Sequence, residues 1–242
     1  MDKTCYIKQP AGLGDILFCQ KIAYRAINDF GCNKVIWPVS YVYGYLSDYI
    51  FNDKVIFGPQ ERLPIYDNKI INNENFLYIP LQTCDNLVPY HDSRANGHIK
   101  YKFFYDTDYL DWKNYFTLKR NLDRELKLVK LLNIDISKPY NFINPSYGTP
   151  PGHVKNNNIK PNNEFPNVYM EIIPNVNIFD WLTIIENAKE IHTMETSLYY
   201  ILEKLNIEDN VYIYSKYKHS NTSYNDDYEY MKSHCSKKWN YT

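Results

Sequence analysis

The segment Cys5-Tyr6-Ile7-Lys8-Gln9-Pro10-Ala11-Gly12-Leu13-Gly14-Asp15-Ile16-Leu17 passes from strand-forming residues, through glycines, into an apolar helical pattern. Residues 5–8 read as a short strand stopped by Pro10 and Gly12, because proline brings no N–H to a ladder and glycine turns freely. Beyond it Ile16, Cys19, Ala23, Ile27 and Phe30 recur at helical spacing, and Gly31 can end that helix in a left-handed cap. Residues 34–39 are almost continuously apolar, as a parallel strand buried on both faces must be. Residues 41–50 predict a further helix, and residues 55–57 and 76–79 further strands. Strand, helix and strand on short links predict a parallel sheet covered by helices, an α/β fold.

Outward from there, residues 82–104 break the rhythm. His91, Arg94, His98 and Lys100 stand among Asp, Asn and Gly, which predicts a long loop, and loops of that length in compact folds are commonly functional. Leu118, Leu122, Leu126, Val129 and Leu132 then mark one face of a charged amphipathic helix, closed by a linker at Ser137-Lys138-Pro139. A second α/β series comes next, with strands over 140–144, 168–173, 190–194 and 211–214. Its helices are a segment over 179–189 and the stripe Leu198, Ile201, Leu202 and Leu205. The expectation is an N-terminal lobe of residues 1–138 and a C-terminal lobe of residues 139–242, with the C-terminal tail packing back on the first lobe.

A chain of 242 residues suits one large domain or two small ones. Hydrophobic residues at 44% and charged residues at 23% are the balance of a globular protein. The net charge of −1 provides no basic field for phosphate backbones, so no nucleic-acid partner is expected. No apolar run approaches the roughly 20 residues that cross a bilayer, so no membrane span is expected. Five cysteines at 5, 19, 32, 84 and 235 include no C-x-x-C pair and read as free thiols of a reducing compartment. Asp2 and Lys3 lead straight into a strand without a signal-peptide pattern. The expected location is the cytoplasm, the host's if the protein is viral. The 25 tyrosines fit the codon supply of an AT-rich genome, and also fit a sugar or nucleotide site that uses an aromatic face with a hydroxyl.

Gly12 and Gly14 allow a tight turn and a close ligand approach to helix amides. They do not complete a dinucleotide fingerprint. The third glycine would fall at Leu17, and Pro38-Val39-Ser40 offers no acid for a ribose. Nor is there a G-K-S/T phosphate loop. Asp15 lies past the first strand, where open α/β sheets place their crevice, and is either a working carboxylate or the helix N-cap. Met194-Glu195-Thr196-Ser197 repeats the form: strand, hydroxyls, helix. Thr196 and Ser197 either hold a diphosphate or only cap the helix. Lys155, after His153, either supplies a cation to such a diphosphate or is solvated. Asp106-Thr107-Asp108 matches the D-x-D metal pattern of many glycosyltransferases, and equally suits a helix N-terminus. His91 and His98 have no partner at a metal-ligand spacing.

Gly12-Leu13-Gly14-Asp15-Ile16-Leu17 resembles the opening of the lipopolysaccharide heptosyltransferases, sugar-nucleotide enzymes of the two-lobed GT-B class. The segment from Phe179-Asp180-Trp181-Leu182 through Glu195-Thr196-Ser197-Leu198 resembles the C-lobe nucleotide site of that class. It is also similar to short glycosyltransferase-like proteins of bacteria and large DNA viruses. The resemblance implies two Rossmann-like lobes with a central cleft. It implies a hexosyl- or deoxyhexosyl-type glycosyltransferase that moves a sugar from a nucleotide-diphosphate sugar to the hydroxyl of a glycan or other acceptor. Inversion is implied, and neither a metal nor another cofactor is expected. Carried onto this chain, it makes Asp15 the general base. Gly14, Lys155, Glu195, Thr196 and Ser197 become contacts of the nucleotide sugar, and His91, Arg94, His98 and His153 contacts of acceptor or phosphate. The heptosyltransferase turn usually reads Asp-Thr-Gly with a later His, whereas here Glu195-Thr196-Ser197 precedes Leu198 and Tyr199, so the sugar is not carried over. Two readings stay beside it: a metal-dependent GT-A-type transferase using Asp106 and Asp108, and a non-catalytic sugar- or nucleotide-binding protein.

Overall fold

A computed structural model describes residues 2–8, 12–59, 70–80, 111–147, 154–207, 210–215, 237 and 239–242. The chain divides into two units, Met1–Lys119 and Arg120–Thr242, and each carries a mainly parallel sheet of five strands. The α/β class expected from the strand–helix alternation is therefore what the chain adopts. Among the described residues no helix is long and apolar enough to cross a membrane.

The first unit contains β1 (Thr4–Ile7), α1 (Leu13–Phe18), α2 (Gln20–Asn28), β2 (Lys34–Val39), α3 (Leu46–Tyr49) and β3 (Ile50–Phe51). It continues with β4 (Val55–Pro59), β5 (Ile71–Asn72), β6 (Phe76–Ile79) and β7 (Thr117–Leu118). The sheet order is β4-β2-β1-β6-β5, with β3 and β7 paired separately. All its pairings are parallel except that of β5 with β6. Cys5 lies beside both Val35 and Leu77 in register. Ile7, Val35, Trp37 and Leu77 from the sheet, with Ile16, Leu17, Ile22 and Ala23 from the helices, form the core. Each full burial of a large apolar side chain is worth about 1.5–3 kcal/mol.

The single helix expected over 16–30 is two. The chain leaves the helix at Cys19 (φ −85°, ψ 7°), and the Gln20 side chain donates to the Ile16 carbonyl at 2.7 Å, taking up an acceptor that the break exposes. Gly31 has φ +68°, the left-handed geometry that ends α2. Residues 111–116 are pinned onto α2 by a bidentate contact of Lys21 Nζ with Asp111 at 2.8 and 3.0 Å. Trp112 is fully buried against Phe18.

The second unit begins with α4 (Leu122–Leu131), then β8 (Asn141–Asn144), β9 (Ser146–Tyr147), β10 (Val154–Lys155) and β11 (Asn167–Tyr169). After these come α5 (Leu182–Glu186), β12 (Glu190–Met194), α6 (Ser197–Lys204), β13 (Val211–Tyr214) and β14 (Asn240–Tyr241). The sheet order is β11-β8-β12-β13-β14, and every pairing in it is parallel. Numbered in chain order these strands run 2-1-3-4-5, one of the two common orders of open parallel sheets.

The boundary between the units differs from the expected linker at 137–139, because α4 is bonded to the second unit. The fully buried Glu125 carboxylate accepts from the Thr183 amide at 2.9 Å and hydroxyl at 2.7 Å, and from the Arg120 guanidinium. Arg124 forks onto Asp180 at 2.8 and 2.6 Å. Stranding the fully buried Glu125 carboxylate typically costs about 3–5 kcal/mol, and these bonds rather than the leucine stripe set the rotation of α4. Glu125, Leu128 and Val129 face inward, while Leu122 and Leu126 are exposed. The described end of the tail, Asn240–Tyr241, extends the second unit's own sheet beside β13.

Candidate functional site

Strand order in the second sheet reverses between β8 and β12. In open parallel sheets the crevice beyond the carboxyl ends of such a pair is where ligands bind. β8 ends at Asn144 and β12 at Met194, and the register sets Asn144 beside Thr193. The Asn144 amide nitrogen donates to Thr193 Oγ1 at 3.0 Å and reaches Thr196 Oγ1 at 3.5 Å. Thr196 is the N-cap of α6, its hydroxyl oxygen accepting from the Leu198 amide at 3.4 Å. Ser197 is the first residue of that helix and half-buried. Glu195 is 4% exposed, and its amide donates to the Tyr214 carbonyl at 3.0 Å.

From the end of β8 rises a hairpin in which β9 and β10 pair antiparallel, Lys155 opposite Ser146. Asn156 ties the hairpin down: its amide donates to the Pro145 carbonyl at 2.9 Å, and its side-chain nitrogen lies 3.3 Å from the Met194 sulfur. Lys155, Thr196 and Ser197, about forty residues apart in the chain, thus share one end of one sheet. Lys155 is exposed, and its ammonium meets no acceptor among the described residues. A cation, two hydroxyls and the Ser197 amide at the start of an eight-residue helix form a donor-rich rim suited to an anion.

Below the rim lies a polar cluster that motif reading missed. His192 is buried, with Nδ1 3.0 Å from the Tyr214 hydroxyl and Nε2 3.0 Å from Glu190 Oε2. Its ring stacks on Tyr212 at 4.7 Å. Burial pushes the imidazole below its usual range, against the upward pull of Glu190. Burial likewise pushes the Tyr214 hydroxyl up. The signal was the two-residue alternation of Glu190 with His192 and of Tyr212 with Tyr214, which puts each pair on one face of its strand. Asn144 and Asn156 were missed too, and neither belongs to any spacing pattern.

In the first unit Gly12 is the N-cap of α1, in extended backbone and with no side-chain cap. Asp15 is therefore not the N-cap but the third residue of the helix, half-buried. A carboxylate there faces the positive end of the helix dipole. Gly14 is the second helical residue, also half-buried. A Cβ on Gly12 would come 3.9 Å from the Tyr43 hydroxyl, so the side chain of Tyr43 borders the turn.

His91, Arg94, His98, Asp106, Asp108 and His153 lie outside the described residues. Among the described residues no three His, Cys, Asp or Glu side chains gather as a metal site. No protein-family model matches the chain, and neither does any curated protein or solved structure.

Proposed function

We propose that the protein is a glycosyltransferase that moves a sugar from a nucleotide-diphosphate sugar to an acceptor hydroxyl. On this reading each unit is a Rossmann-like lobe. The donor's diphosphate lies at the carboxyl ends of β8 and β12, where Lys155, the Thr196 and Ser197 hydroxyls and the Ser197 amide compensate its charge. Asp15 of the first unit takes the acceptor's proton as that oxygen bonds to the anomeric carbon. The bond from the anomeric carbon to the diphosphate breaks, and the nucleoside diphosphate leaves with the electron pair.

One observation carries the reading. The parallel 2-1-3-4-5 order brings Lys155 and the Thr196–Ser197 turn together at the switch point of the second sheet. That is where such a sheet takes a nucleotide, and the groups found there are donors and a cation. A melting-temperature screen of the whole chain against UDP, GDP, CMP, ADP and their sugars tests it. A ligand at 100 times its Kd adds about 2.7 kcal/mol of stability, and a chain unmoved by every nucleotide would end the proposal. Release of nucleoside diphosphate on adding an acceptor then separates transfer from binding alone.

A further inference from the structure

The donors and acceptors around Asn144 can be assigned atom by atom. Thr193 Oγ1 gives its one proton to the Met194 carbonyl at 3.0 Å, so toward Asn144 it can only accept. That orients the Asn144 amide with Nδ2 to the threonines and Oδ1 away from them. Thr196 Oγ1 accepts from Leu198 N and from Asn144 Nδ2, which occupies both lone pairs and leaves its own O–H only to donate. Asn144 is 6% exposed, and its Oδ1 meets no donor among the described residues. This oxygen, reachable by solvent and without a protein donor among the described residues, is an acceptor at the switch point for a ligand that brings a hydroxyl.

We propose that Asn144 is the specificity residue of this crevice: its nitrogen holds Thr196 as a donor toward an anionic oxygen, and its Oδ1 accepts a hydroxyl from the same ligand. The crevice then prefers a hydroxyl-bearing phosphate ester to bare diphosphate. This rests on the anion-binding reading of the same site. The hydroxyl comes either from the ribose of a nucleotide or from the transferred sugar.

Titration calorimetry of the whole chain with UDP, GDP, glucose 1-phosphate and inorganic pyrophosphate tests it in wild type, Asn144→Ala, Thr196→Ala and the double variant. Expected is a loss of about fivefold or more, on the scale of one neutral hydrogen bond, in the affinity of Asn144→Ala for an ester. Pyrophosphate should lose less, and that smaller loss should vanish in the Thr196→Ala background, because it passes through Thr196. Loss on the nucleotides alone assigns the hydroxyl to ribose, and loss on glucose 1-phosphate assigns it to the sugar. Wild-type affinity for the esters in Asn144→Ala, or equal losses on esters and pyrophosphate, overturns the inference. A wild-type chain that binds none of the four overturns the anion reading itself. Should Asn144→Ala not fold, Asn144→Asp takes its place: it keeps an acceptor and lacks the donor, so in excess of any charge effect common to both backgrounds its loss must disappear with Thr196→Ala.

Discussion

The turn into α1 and the turn into α6 have the same outline, parallel strand to helix, and opposite chemistry. At Gly12 the cap carries no side chain, and the first turn bears a carboxylate, Asp15. At Thr196 the cap is a hydroxyl backed by a buried asparagine, with Ser197 next and Lys155 on the adjoining hairpin. A helix N-terminus attracts anions in either case. In the first unit the protein supplies that anion itself, whereas in the second it leaves donors and a cation for one from outside. On the proposed function, these two turns, alike in secondary structure, serve different partners, an acceptor hydroxyl and a phosphate.

Replacement of Asp15 breaks the comparison most sharply. Asp15→Asn keeps the shape and removes the proton acceptor, and loss of a general base costs about 10²–10⁴ in rate. On the proposed function nucleotide affinity is set in the second unit, so it should stay at the wild-type value. Gly12 and not Asp15 caps α1, so no capping bond is lost, and the charge near the helix dipole contributes about 0.3–1 kcal/mol to the stability change. Steady-state transfer assays with nucleotide titration read both, and an Asp15→Asn protein with full transferase activity removes the assignment.

Lys155→Ala comes next. The ammonium has no described protein acceptor, so its removal leaves no buried partner stranded and should leave the melting temperature unchanged. A charge-assisted hydrogen bond to phosphate is worth about 1–3 kcal/mol, and sugar-nucleotide affinity should fall accordingly in calorimetry. Unchanged affinity would return Lys155 to a solvated hairpin residue and leave the rim of the second unit with hydroxyls alone.

The ends of β2 and β6 fall where largely apolar runs begin and end, because strands buried on both faces carry their own boundaries in composition. The rotation of α4 was not legible. Leu122 and Leu126 advertise an inward face, yet Glu125 and Arg124 find partners at Thr183 and Asp180, some fifty-six to fifty-eight residues away. Periodicity cannot register a bond of that separation. The same limit hid Asn144, whose partners Thr193 and Thr196 become neighbours only when β8 pairs with β12. Lys155 and Thr196 could be singled out because each stands just beyond a strand end. That one sheet edge would gather both depended on the strand order.

Thr196→Ala is a smaller lever on the same turn. It removes the cap acceptor of the Leu198 amide, a loss of about 0.5–2 kcal/mol, and should lower the melting temperature of the chain by a few degrees. Thr196→Ser, which keeps the hydroxyl, should restore most of it. If Thr196→Ala melts with wild type, the α6 turn is held by the Asn144–Thr193 pair alone, and the contrast with the side-chain-free cap of α1 narrows.

The smallest effect concerns the groups beneath the two sheet ends. In the first unit the buried groups around β1 and the turn into α2 include Ile7 and cysteines outside any disulfide, Cys5 and Cys19 among them. In the second is the titratable pair of His192 and Glu190. Burial lowers the His192 pKa more than Glu190 raises it, so the unfolded chain takes up a proton before the folded one does. Stability is then fully present above the ordinary imidazole value of about 6.5 and falls as the pH drops from there through the lowered folded value. The slope in that window is bounded by one proton, about 1.4 kcal/mol per pH unit. His192→Gln has no such proton to bind, so the difference between its denaturation curves and those of wild type should close as the pH falls from 7.5 toward 5.5. Carboxylates that titrate lower down are common to both proteins and cancel in that difference. If wild type instead gains on His192→Gln over this range, the imidazolium forms an ion pair with Glu190 in the folded chain. The second sheet would then carry a partly buried charge pair on β12, toward the end of the strand opposite Thr196.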